Sequence, residues 1–304
     1  MLKTSLAGVK LENPTVLASG ILGVTGSSLA FVARNGAGAV TAKSVSLQPR
    51  KGHPNPTVLP FESGLINAVG LSNPGAEEFL GEMEYAKKNA GVPVIASLVE
   101  FRANDYAKLA KKVASAKPDL IEVNISCPNV DDEFGRPFSH SAELAAVVTK
   151  VVKKAVSIPV FVKLSPNVPN IAEIASAVEN AGADGITAIN TLGPGMLIDV
   201  YSRKPTLTNK RGGLSGPAIR PIAVRCVYEI AKATNLPIIG TGGVMSGKDA
   251  IEMIMAGASA VGVGTGVYYR GPAIFREMCR EMEEFMDSEG YKSIEEMKGV
   301  AHEA

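Results

Sequence analysis

A (β/α)8 TIM barrel, one of the α/β folds, is the architecture that this sequence predicts, and three observations lead to it. Along 304 residues, short apolar runs rich in β-branched residues alternate with amphipathic stretches of helix length. The chain offers eight runs of each kind, which is the order that a closed parallel barrel requires. A glycine follows several of the helical stretches, as at Gly91, Gly182 and Gly257, where it can end a helix before a buried strand.

The predicted strands are short because Gly, Pro or polar residues bound each apolar run. They are Thr15–Ser19, Gly38–Lys43, Val94–Val99, Leu120–Ser126, Val160–Leu164, Gly185–Asn190, Pro237–Gly240 and Ser259–Gly264. The predicted helices repeat apolar residues every three or four positions. They are Ser27–Asn35, Ala76–Ala90, Asp105–Ala116, Ala142–Ala155, Ile171–Asn180, Pro217–Thr234, Gly247–Ala256 and Pro272–Ser288. A doubly wound parallel sheet is the alternative, although Gly20–Gly23 matches its usual G-x-G-x-x-G turn poorly.

Composition favours one large globular domain over residues 1–304, because 46% hydrophobic and 20% charged residues suffice for a sizeable core. The 31 basic and 30 acidic residues nearly balance, which argues against a nucleic-acid partner and against a membrane surface. The N-terminus has no signal-peptide pattern and no apolar stretch could span a bilayer, so we expect a cytoplasmic protein. Three cysteines and three histidines are too scattered for a metal site or an iron–sulfur cluster on this chain.

Three connections are longer than is usual between the elements of a barrel. They span residues 44–74, 127–141 and 191–216, and each follows the C-terminal end of a predicted strand. Barrel enzymes build their sites on that face. Because ordering a long loop costs conformational entropy, three of them on one face predict a pocket with a lid.

Polar side chains stand at the C-terminal ends of the predicted strands. Lys43 ends the second strand, Asn124 and Ser126 end the fourth, Lys163 ends the fifth and Asn190 ends the sixth. A lysine at the end of a buried strand needs either a pocket or a partner charge. An internal salt bridge is the alternative for each lysine alone, but two lysines grouped with two asparagines favour a ligand pocket.

Two glycine-rich turns follow the last two predicted strands, at Gly240–Val244 and Gly262–Gly266. Backbone N–H groups in such turns can cradle a phosphate, and barrels commonly place a phosphate site at these two loops. The alternative is a pair of tight turns with no ligand. The pattern predicts a phosphate-bearing ligand but does not distinguish a flavin nucleotide from a sugar phosphate.

Cys127 follows the fourth predicted strand and precedes a proline. A free cysteine most often packs as a small hydrophobic residue, yet a thiolate on the active face of a barrel could take a proton. Spacing alone leaves both interpretations open for Cys127. Cys226 and Cys279 fall inside helical patterns, and we interpret both as packing residues.

Several segments together resemble the dihydroorotate dehydrogenases of the cytosolic, cysteine-containing class. They are Lys43–Ser44, Asn67–Gly75, Asn124–Asn129, Val162–Leu164, Asn190–Thr191, Arg203–Pro205, Gly212–Ile219, Gly242–Gly243 and Gly264–Thr265. The resemblance implies an FMN-dependent enzyme that oxidises dihydroorotate to orotate in pyrimidine biosynthesis. In this family a base removes the C5 proton of the substrate and a hydride passes from C6 to the flavin.

The motif matches carry the family's site residues to positions of this sequence, with Cys127 implied as the catalytic base. The implied substrate-binding residues are Lys43, Asn67, Ala68, Val69, Gly70, Leu71, Asn124, Asn190 and Thr191. The implied FMN-binding residues are Ser19, Lys43, Ser44, Asn124, Lys163, Ile189, Gly216, Gly242, Gly243, Gly264 and Thr265. Asparagine amides and a lysine suit a flat ligand with an imide and a carboxylate. Lys163 suits the flavin edge that gains negative charge on reduction.

The stretch Asn190–Ile219 resembles the NAD-linked type of this class. The resemblance implies a heterotetramer of two catalytic chains and two electron-transfer chains, of which the latter carry FAD and a [2Fe–2S] cluster. Electrons would then pass from FMN through the partner to NAD, with fumarate left open as an alternative acceptor.

Two places depart from the family pattern. Residues 130–138 form an acidic segment where a loop richer in glycine and lysine is expected, and Ser97 stands where the family often has an asparagine near the flavin. The sequence therefore assigns no role to Ser97.

Three other functions fit parts of the pattern. A tRNA-dihydrouridine synthase also combines a barrel, FMN and a cysteine, but its substrate calls for a basic face and an added helical domain. A flavin-free aldolase would use Lys163 to form a Schiff base. A non-catalytic barrel that supports a partner chain would not need polar loops grouped on one face.

Overall fold

A closed barrel of eight parallel strands forms the centre of the molecule, in a computed structural model that describes residues 1–125 and 138–302. The strands of these residues are β1 (Thr4–Leu6), β2 (Val9–Leu11), β3 (Thr15–Leu17), β4 (Ala39–Thr41), β5 (Val58–Phe61), β6 (Gly64–Asn67), β7 (Val94–Leu98), β8 (Leu120–Asn124), β9 (Val160–Leu164), β10 (Gly185–Ala188), β11 (Leu192–Gly195), β12 (Ile198–Asp199), β13 (Lys204–Pro205), β14 (Gly212–Ser215), β15 (Ile238–Thr241) and β16 (Ala260–Val263). The barrel order is β3-β4-β7-β8-β9-β10-β15-β16, closed by pairing of β16 with β3. The predicted (β/α)8 fold is confirmed, and the doubly wound sheet is excluded.

Helices surround the barrel and alternate with its strands. They are α1 (Gly26–Arg34), α2 (Ala76–Asn89), α3 (Ala103–Ala114), α4 (Ala142–Ala155), α5 (Ile171–Asn180), α6 (Arg220–Ala233), α7 (Gly247–Met255), α8 (Thr265–Arg270), α9 (Ile274–Glu289) and α10 (Ile294–Met297). Short 3-10 turns occur at Phe138–His140, Pro217–Ile219 and Val300–His302. Each predicted helix overlaps one of these helices. The predicted helix at Pro217 instead begins as a 3-10 turn and becomes α-helical at Arg220.

Local sequence explains where the helices begin. Thr25, Ser141, Asn170 and Ser246 precede α1, α4, α5 and α7, and the side-chain oxygen of each accepts a hydrogen bond from a backbone N–H of the first turn. Such caps satisfy donors that have no partner inside the helix.

Glycines end the helices that the sequence indicated. Gly91, Gly182 and Gly257 have φ values of 70°, 95° and 117°. This left-handed region is accessible to glycine without a steric penalty, so the predicted role in ending helices is confirmed.

Seven of the eight barrel strands end one or two residues away from the predicted position, and these include the strands predicted to end at Lys43 and Asn190. Lys43 and Asn190 lie two residues beyond β4 and β10, which end at Thr41 and Ala188. The ladder stops there because the chain turns from the barrel wall into the loops of its C-terminal face. Asn124 and Lys163 do lie within strands, β8 and β9.

The interior of the barrel is closed at its N-terminal end by a hairpin that the sequence did not predict. Strands β1 and β2 pair antiparallel, and their Leu6 and Leu11 are buried with Phe161 in an apolar cluster inside the barrel. Gly185 lies so close to the Phe161 ring that a side chain there would overlap it. The larger apolar core lies between the barrel strands and the helices.

An antiparallel sheet stands over the C-terminal face of the barrel. Its order is β11-β14-β6-β5, so it is built from segments 44–74 and 191–216, which the sequence treated as loops. The sequence did not predict these strands, which form within two of the three long connections. These strands are short and are interrupted by Gly and Pro, so their alternation of apolar and polar residues is too weak to predict a strand from one sequence. Of segment 127–141, only residues 138–141 are among those described.

None of the helices within residues 1–125 and 138–302 is both long and apolar enough to cross a bilayer. The same residues contain no group of three or more His, Cys, Asp or Glu side chains that could hold a metal ion.

Candidate active site

A cavity of about 1220 Å³ opens at the C-terminal end of the barrel, beneath the antiparallel sheet. The sequence-predicted residues that line it are Ser19, Lys43, Ser44, Asn67, Val69, Gly70, Leu71, Asn124, Lys163, Ile189, Asn190, Thr191, Gly216, Gly242, Gly243, Gly264 and Thr265. Residues from seven barrel strands or the loops after them thus meet in one place.

Of the predicted site residues that the structure describes, Ala68 is the one that does not line the cavity. Ala68 is fully buried and packs with Ile66 and Leu207 in a small apolar cluster under the antiparallel sheet. Cys127 lies in the segment 126–137, outside the described residues.

Asn73 fixes the segment that carries the predicted substrate contacts. Its Oδ1 accepts hydrogen bonds from the N–H groups of Ser46 at 3.2 Å and Gly75 at 2.9 Å, and its Nδ2 donates to the Leu71 carbonyl at 2.8 Å. Leu71 has a φ of 59°, a left-handed conformation that is unfavourable for leucine. Such strain persists only where the surroundings hold it, which is what the Asn73 side chain does here.

The antiparallel sheet places Asn67 next to Thr191. Asn67 pairs with Gly213 across β6 and β14, and its Nδ2 donates to the Gly213 carbonyl at 3.3 Å. A side chain at position 213 would overlap the Thr191 hydroxyl, so only glycine permits this approach. Asn167 holds Thr191 from the other side by donating from Nδ2 to its carbonyl at 3.3 Å.

A buried hydrogen-bond network links side chains from neighbouring barrel strands below and beside the cavity. Ser97 Oγ donates to Glu122 Oε1 at 2.9 Å and lies 2.8 Å from Ser44 Oγ. Asn124 Nδ2 donates to Ser44 Oγ at 3.3 Å, and Asn190 Nδ2 donates to Asn124 Oδ1 at 3.3 Å. Ser97, to which the sequence gave no role, is the residue that joins Ser44 to Glu122.

The charges at the cavity suit an anionic ligand. Lys43 and Lys163 line it, and no acidic side chain is among its described lining residues. Behind Lys163, Glu122 Oε1 lies 3.8 Å from its Nζ, and both side chains are less than a tenth exposed. The cavity wall is therefore positive while the layer beneath it is close to neutral.

Glycines after β15 and β16 offer N–H donors for a phosphate. Gly242 and Gly243 have φ values of 134° and 75°, and a Cβ on Gly243 would lie 2.5 Å from Arg220 Cβ, so this turn packs closely against α6. Within residues 1–125 and 138–302, no loop, turn or cap hydrogen bond is donated by the N–H groups of Gly242, Gly243 or Gly264. These donors can therefore serve a bound anion.

Two arginines brace the loop that follows β15. Asp249 accepts from the Met245 N–H at 2.9 Å and is ion-paired with Arg220. Arg270 donates from Nη1 to the Met245 carbonyl at 2.8 Å and from Nη2 to Glu281 at 2.8 Å. The hydrogen bond that Arg270 donates to Glu281 raises the pKa of Arg270 above its usual value.

Sequence reasoning missed several lining residues and one charged neighbour. Further lining residues are Ala18, Gly20, Ile21, Val58, Leu65, Ser215, Ile219, Thr241, Val244 and Gly266. Most are apolar and carried no chemical signal, although Ser215 and Thr241 adjoin predicted glycines. Glu122 did carry a signal, because a glutamate in the middle of the apolar run Leu120–Asn124 has no ordinary structural reason.

The cavity fits the flavin nucleotide that the sequence resemblance implies. Glycine N–H donors lie at one side, Lys163 lies at the barrel centre, and apolar side chains such as Ile189 and Val244 complete the wall.

Comparison with known proteins places these features in a family. A family model described as dihydroorotate dehydrogenase matches residues 1–286. The chain is 46% identical over 303 residues to a Methanothermobacter thermautotrophicus protein named dihydroorotate dehydrogenase B (NAD(+)), catalytic subunit, and covers 99% of it. Proteins of the same name from Methanocaldococcus jannaschii and Pyrococcus abyssi are 49% and 43% identical, again with 99% of each relative covered.

Proposed function

Because the chain belongs to the dihydroorotate dehydrogenase family, we propose that it oxidises (S)-dihydroorotate to orotate, the redox step of pyrimidine biosynthesis. The observation that carries the proposal is the cavity, in which strand-end lysines and asparagines meet glycines with available N–H donors. Dihydroorotate is a small anion with an imide, and asparagine amides can satisfy both its donors and its acceptors.

FMN is the proposed cofactor, with one molecule in each chain. Gly242, Gly243, Gly264 and Thr265 would hold its phosphate, because no loop, turn or cap hydrogen bond among the described residues uses their N–H groups. Lys163 would lie at the flavin edge that gains negative charge on reduction. When bound, the flavin accepts the hydride that leaves C6 of the substrate.

Cys127 is the proposed base. As a thiolate it would take the proton from C5, which is acidified by the neighbouring carbonyl, and would end as a thiol. Loss of this proton from C5 and of the hydride from C6 creates the C5–C6 double bond of orotate, so atoms and electrons balance. Lys43, Asn67, Asn124 and Asn190 would hold the carboxylate and imide of the substrate during this transfer.

A partner chain is proposed to carry the electrons onward. The name of the relatives, with its words "catalytic subunit" and "NAD(+)", supports a second subunit and NAD as the final acceptor. We propose that this partner holds FAD and a [2Fe–2S] cluster in a heterotetramer of two catalytic and two electron-transfer chains in the cytoplasm.

Activity and colour test the proposal together. Purified protein supplied with FMN should be yellow and should convert dihydroorotate to orotate with an artificial dye as acceptor. NAD should be reduced only after the partner chain is added, and fumarate should not replace either acceptor. A colourless protein that takes up no FMN would refute the proposed reaction, whereas turnover with fumarate alone would refute only the link to NAD.

Replacement of the cysteine tests the base. We expect Cys127→Ala to retain FMN but to slow flavin reduction by dihydroorotate about 10²–10⁴-fold, the usual contribution of a general base. Single-turnover absorbance measurements give this rate directly. The matched control is Cys279→Ala, in α9 and away from the cavity lining, which should leave the rate unchanged. A normal rate in Cys127→Ala would remove Cys127 from the mechanism.

A further inference from the structure

Glu122 is a buried carboxylate inside the barrel for which the proposed reaction supplies no role. It lies in the middle of β8 and is only 3% exposed. A charge in such a position is costly unless other groups compensate it. The groups that compensate the charge of Glu122 either line the cavity or hold residues that line the cavity.

One set of partners is a chain of hydrogen bonds that ends on the carboxylate. Ser97 donates its only hydroxyl hydrogen to Glu122, so Ser44 is the donor in the 2.8 Å contact between the two serines. Asn124 Nδ2 in turn donates to Ser44 Oγ. All three donors therefore point toward Glu122, and the carboxylate sets the direction of the hydrogen bonds that orient two cavity-lining side chains.

The other partner is Lys163. Its Nζ lies 3.8 Å from Glu122 Oε1, and the two side chains are 7% and 4% exposed. Lys163 lines the cavity whereas Glu122 does not, so the ammonium group lies between the carboxylate and the ligand. Charges inside a protein are poorly screened. The electrostatic potential in the cavity therefore depends on the carboxylate of Glu122 as well as on the ammonium group of Lys163.

We propose that Glu122 is a positioning residue that holds Lys163 in place and offsets part of its charge, thereby setting the electron affinity of the cofactor. The inference rests on the proposed function, because it requires a redox cofactor beside Lys163. A cation at this edge favours the charge that the cofactor gains on reduction. A carboxylate behind the cation weakens that effect and keeps the midpoint potential lower than Lys163 alone would set it.

Glu122→Gln tests the charge directly, because the amide keeps the shape and an acceptor for Ser97. We expect the equilibrium constant for two-electron reduction of bound FMN to rise at least tenfold, equivalent to about 30 mV. Glu122→Asp moves the carboxylate away from Lys163. It should raise the same equilibrium constant by a smaller factor, about threefold. Dye-coupled reduction of the FMN-loaded protein measures both values without any assay of turnover.

Thr187→Val is the matched control. Thr187 lies beside Lys163 in the register of β10 and β9, is 3% exposed, and its hydroxyl has no partner among the described residues. Its replacement changes a buried polar side chain in the same layer without changing charge, so the potential should stay at the wild-type value. Combined with Lys163→Met, Glu122→Gln should lose most of its effect if it acts through the lysine.

The outcomes separate the inference from the function on which it rests. A wild-type potential in both Glu122→Gln and Glu122→Asp, with FMN bound and turnover present, overturns the inference alone. An undiminished effect of Glu122→Gln in the Lys163→Met background also overturns it, since Glu122 would then not act through Lys163. A wild-type protein that takes up no FMN overturns the proposed function and the inference with it. If Glu122→Gln does not fold, the Glu122→Asp value decides.

Discussion

Burial makes two of the three cysteines weak nucleophiles. Loss of hydration raises the pKa of Cys226 and of Cys279 from 9.0 to about 11, because a thiolate depends on solvent more than a thiol does. The thiolate is the reactive form, so near pH 8 both side chains should remain thiols. A base of the kind proposed for Cys127 must instead reach the thiolate form.

Alkylation should therefore distinguish the three cysteines. At pH 8 we expect iodoacetamide to modify Cys127 rapidly in the folded protein and to reach all three only after unfolding. Modification of Cys226 and Cys279 should accelerate as the pH rises toward 11, their common pKa. Peptide mass spectrometry over time measures this, with Cys127→Ala as control. Rapid labelling of either helical cysteine at pH 8 would contradict the role of burial.

Some site residues were revealed by position alone, because they are polar and stand at or just beyond the end of an apolar strand. Lys43, Asn124 and Lys163 are of this kind. Ser97 instead acquires its role only from the pairing of β7 with β8, which sets it beside Glu122 inside the barrel. Sequence order does not contain that lateral register.

At the scale of elements, the loop after β15 depends on Arg270, a residue at the far end of α8 that does not line the cavity. Arg270 at the end of α8 donates to the Met245 carbonyl and pairs with Glu277 and Glu281 of α9. These contacts tie the glycine turn to two helices. A turn held in this way does not lose further conformational freedom when it closes on a phosphate.

Arg270→Ala should therefore weaken FMN binding without unfolding the barrel. We expect the dissociation constant of FMN to rise about tenfold, equivalent to about 1.4 kcal/mol, because the glycine turn must then be ordered by the ligand. Fluorescence titration of the apoprotein with FMN measures this. Arg280→Ala is the control, since Arg280 forms an exposed pair with Glu284 on α9 and does not contact the Met245 carbonyl. Equal affinities in the two variants would show that α8 does not support the turn.

Elements whose apolar residues recur at a regular spacing were predictable from the sequence, and elements without such a spacing were not. The barrel strands and the helices around them follow from apolar spacing, and three glycines with positive φ mark where helices end. The antiparallel sheet over the cavity escaped prediction because β11 (Leu192–Gly195) and β14 (Gly212–Ser215) are glycine-rich and mostly half-buried. Their pairing with β6 depends on contacts between distant parts of the chain.

At the scale of the whole molecule, the barrel interior changes character along its axis. An apolar cluster with Leu6, Leu11 and Phe161 fills the N-terminal end. A polar layer with Glu122 and Lys163 lies above it, and the cavity opens at the C-terminal end. The apolar end supplies stability, and the polar layer presents charge to the cavity.

Stability and ligand binding should therefore be separable by substitution. Leu6→Ala or Leu11→Ala, each in the hairpin that closes the barrel, should lower the free energy of unfolding by about 2–5 kcal/mol, the usual cost of a core cavity. The dissociation constant of FMN should stay unchanged, because the polar layer lies between the hairpin and the cavity. Urea denaturation and FMN titration give the two quantities. The control is Lys3→Ala, which breaks an exposed 3.1 Å pair with Glu12 and should change neither the free energy of unfolding nor the dissociation constant of FMN. A loss of FMN affinity that parallels the loss of stability in the leucine variants would contradict this separation.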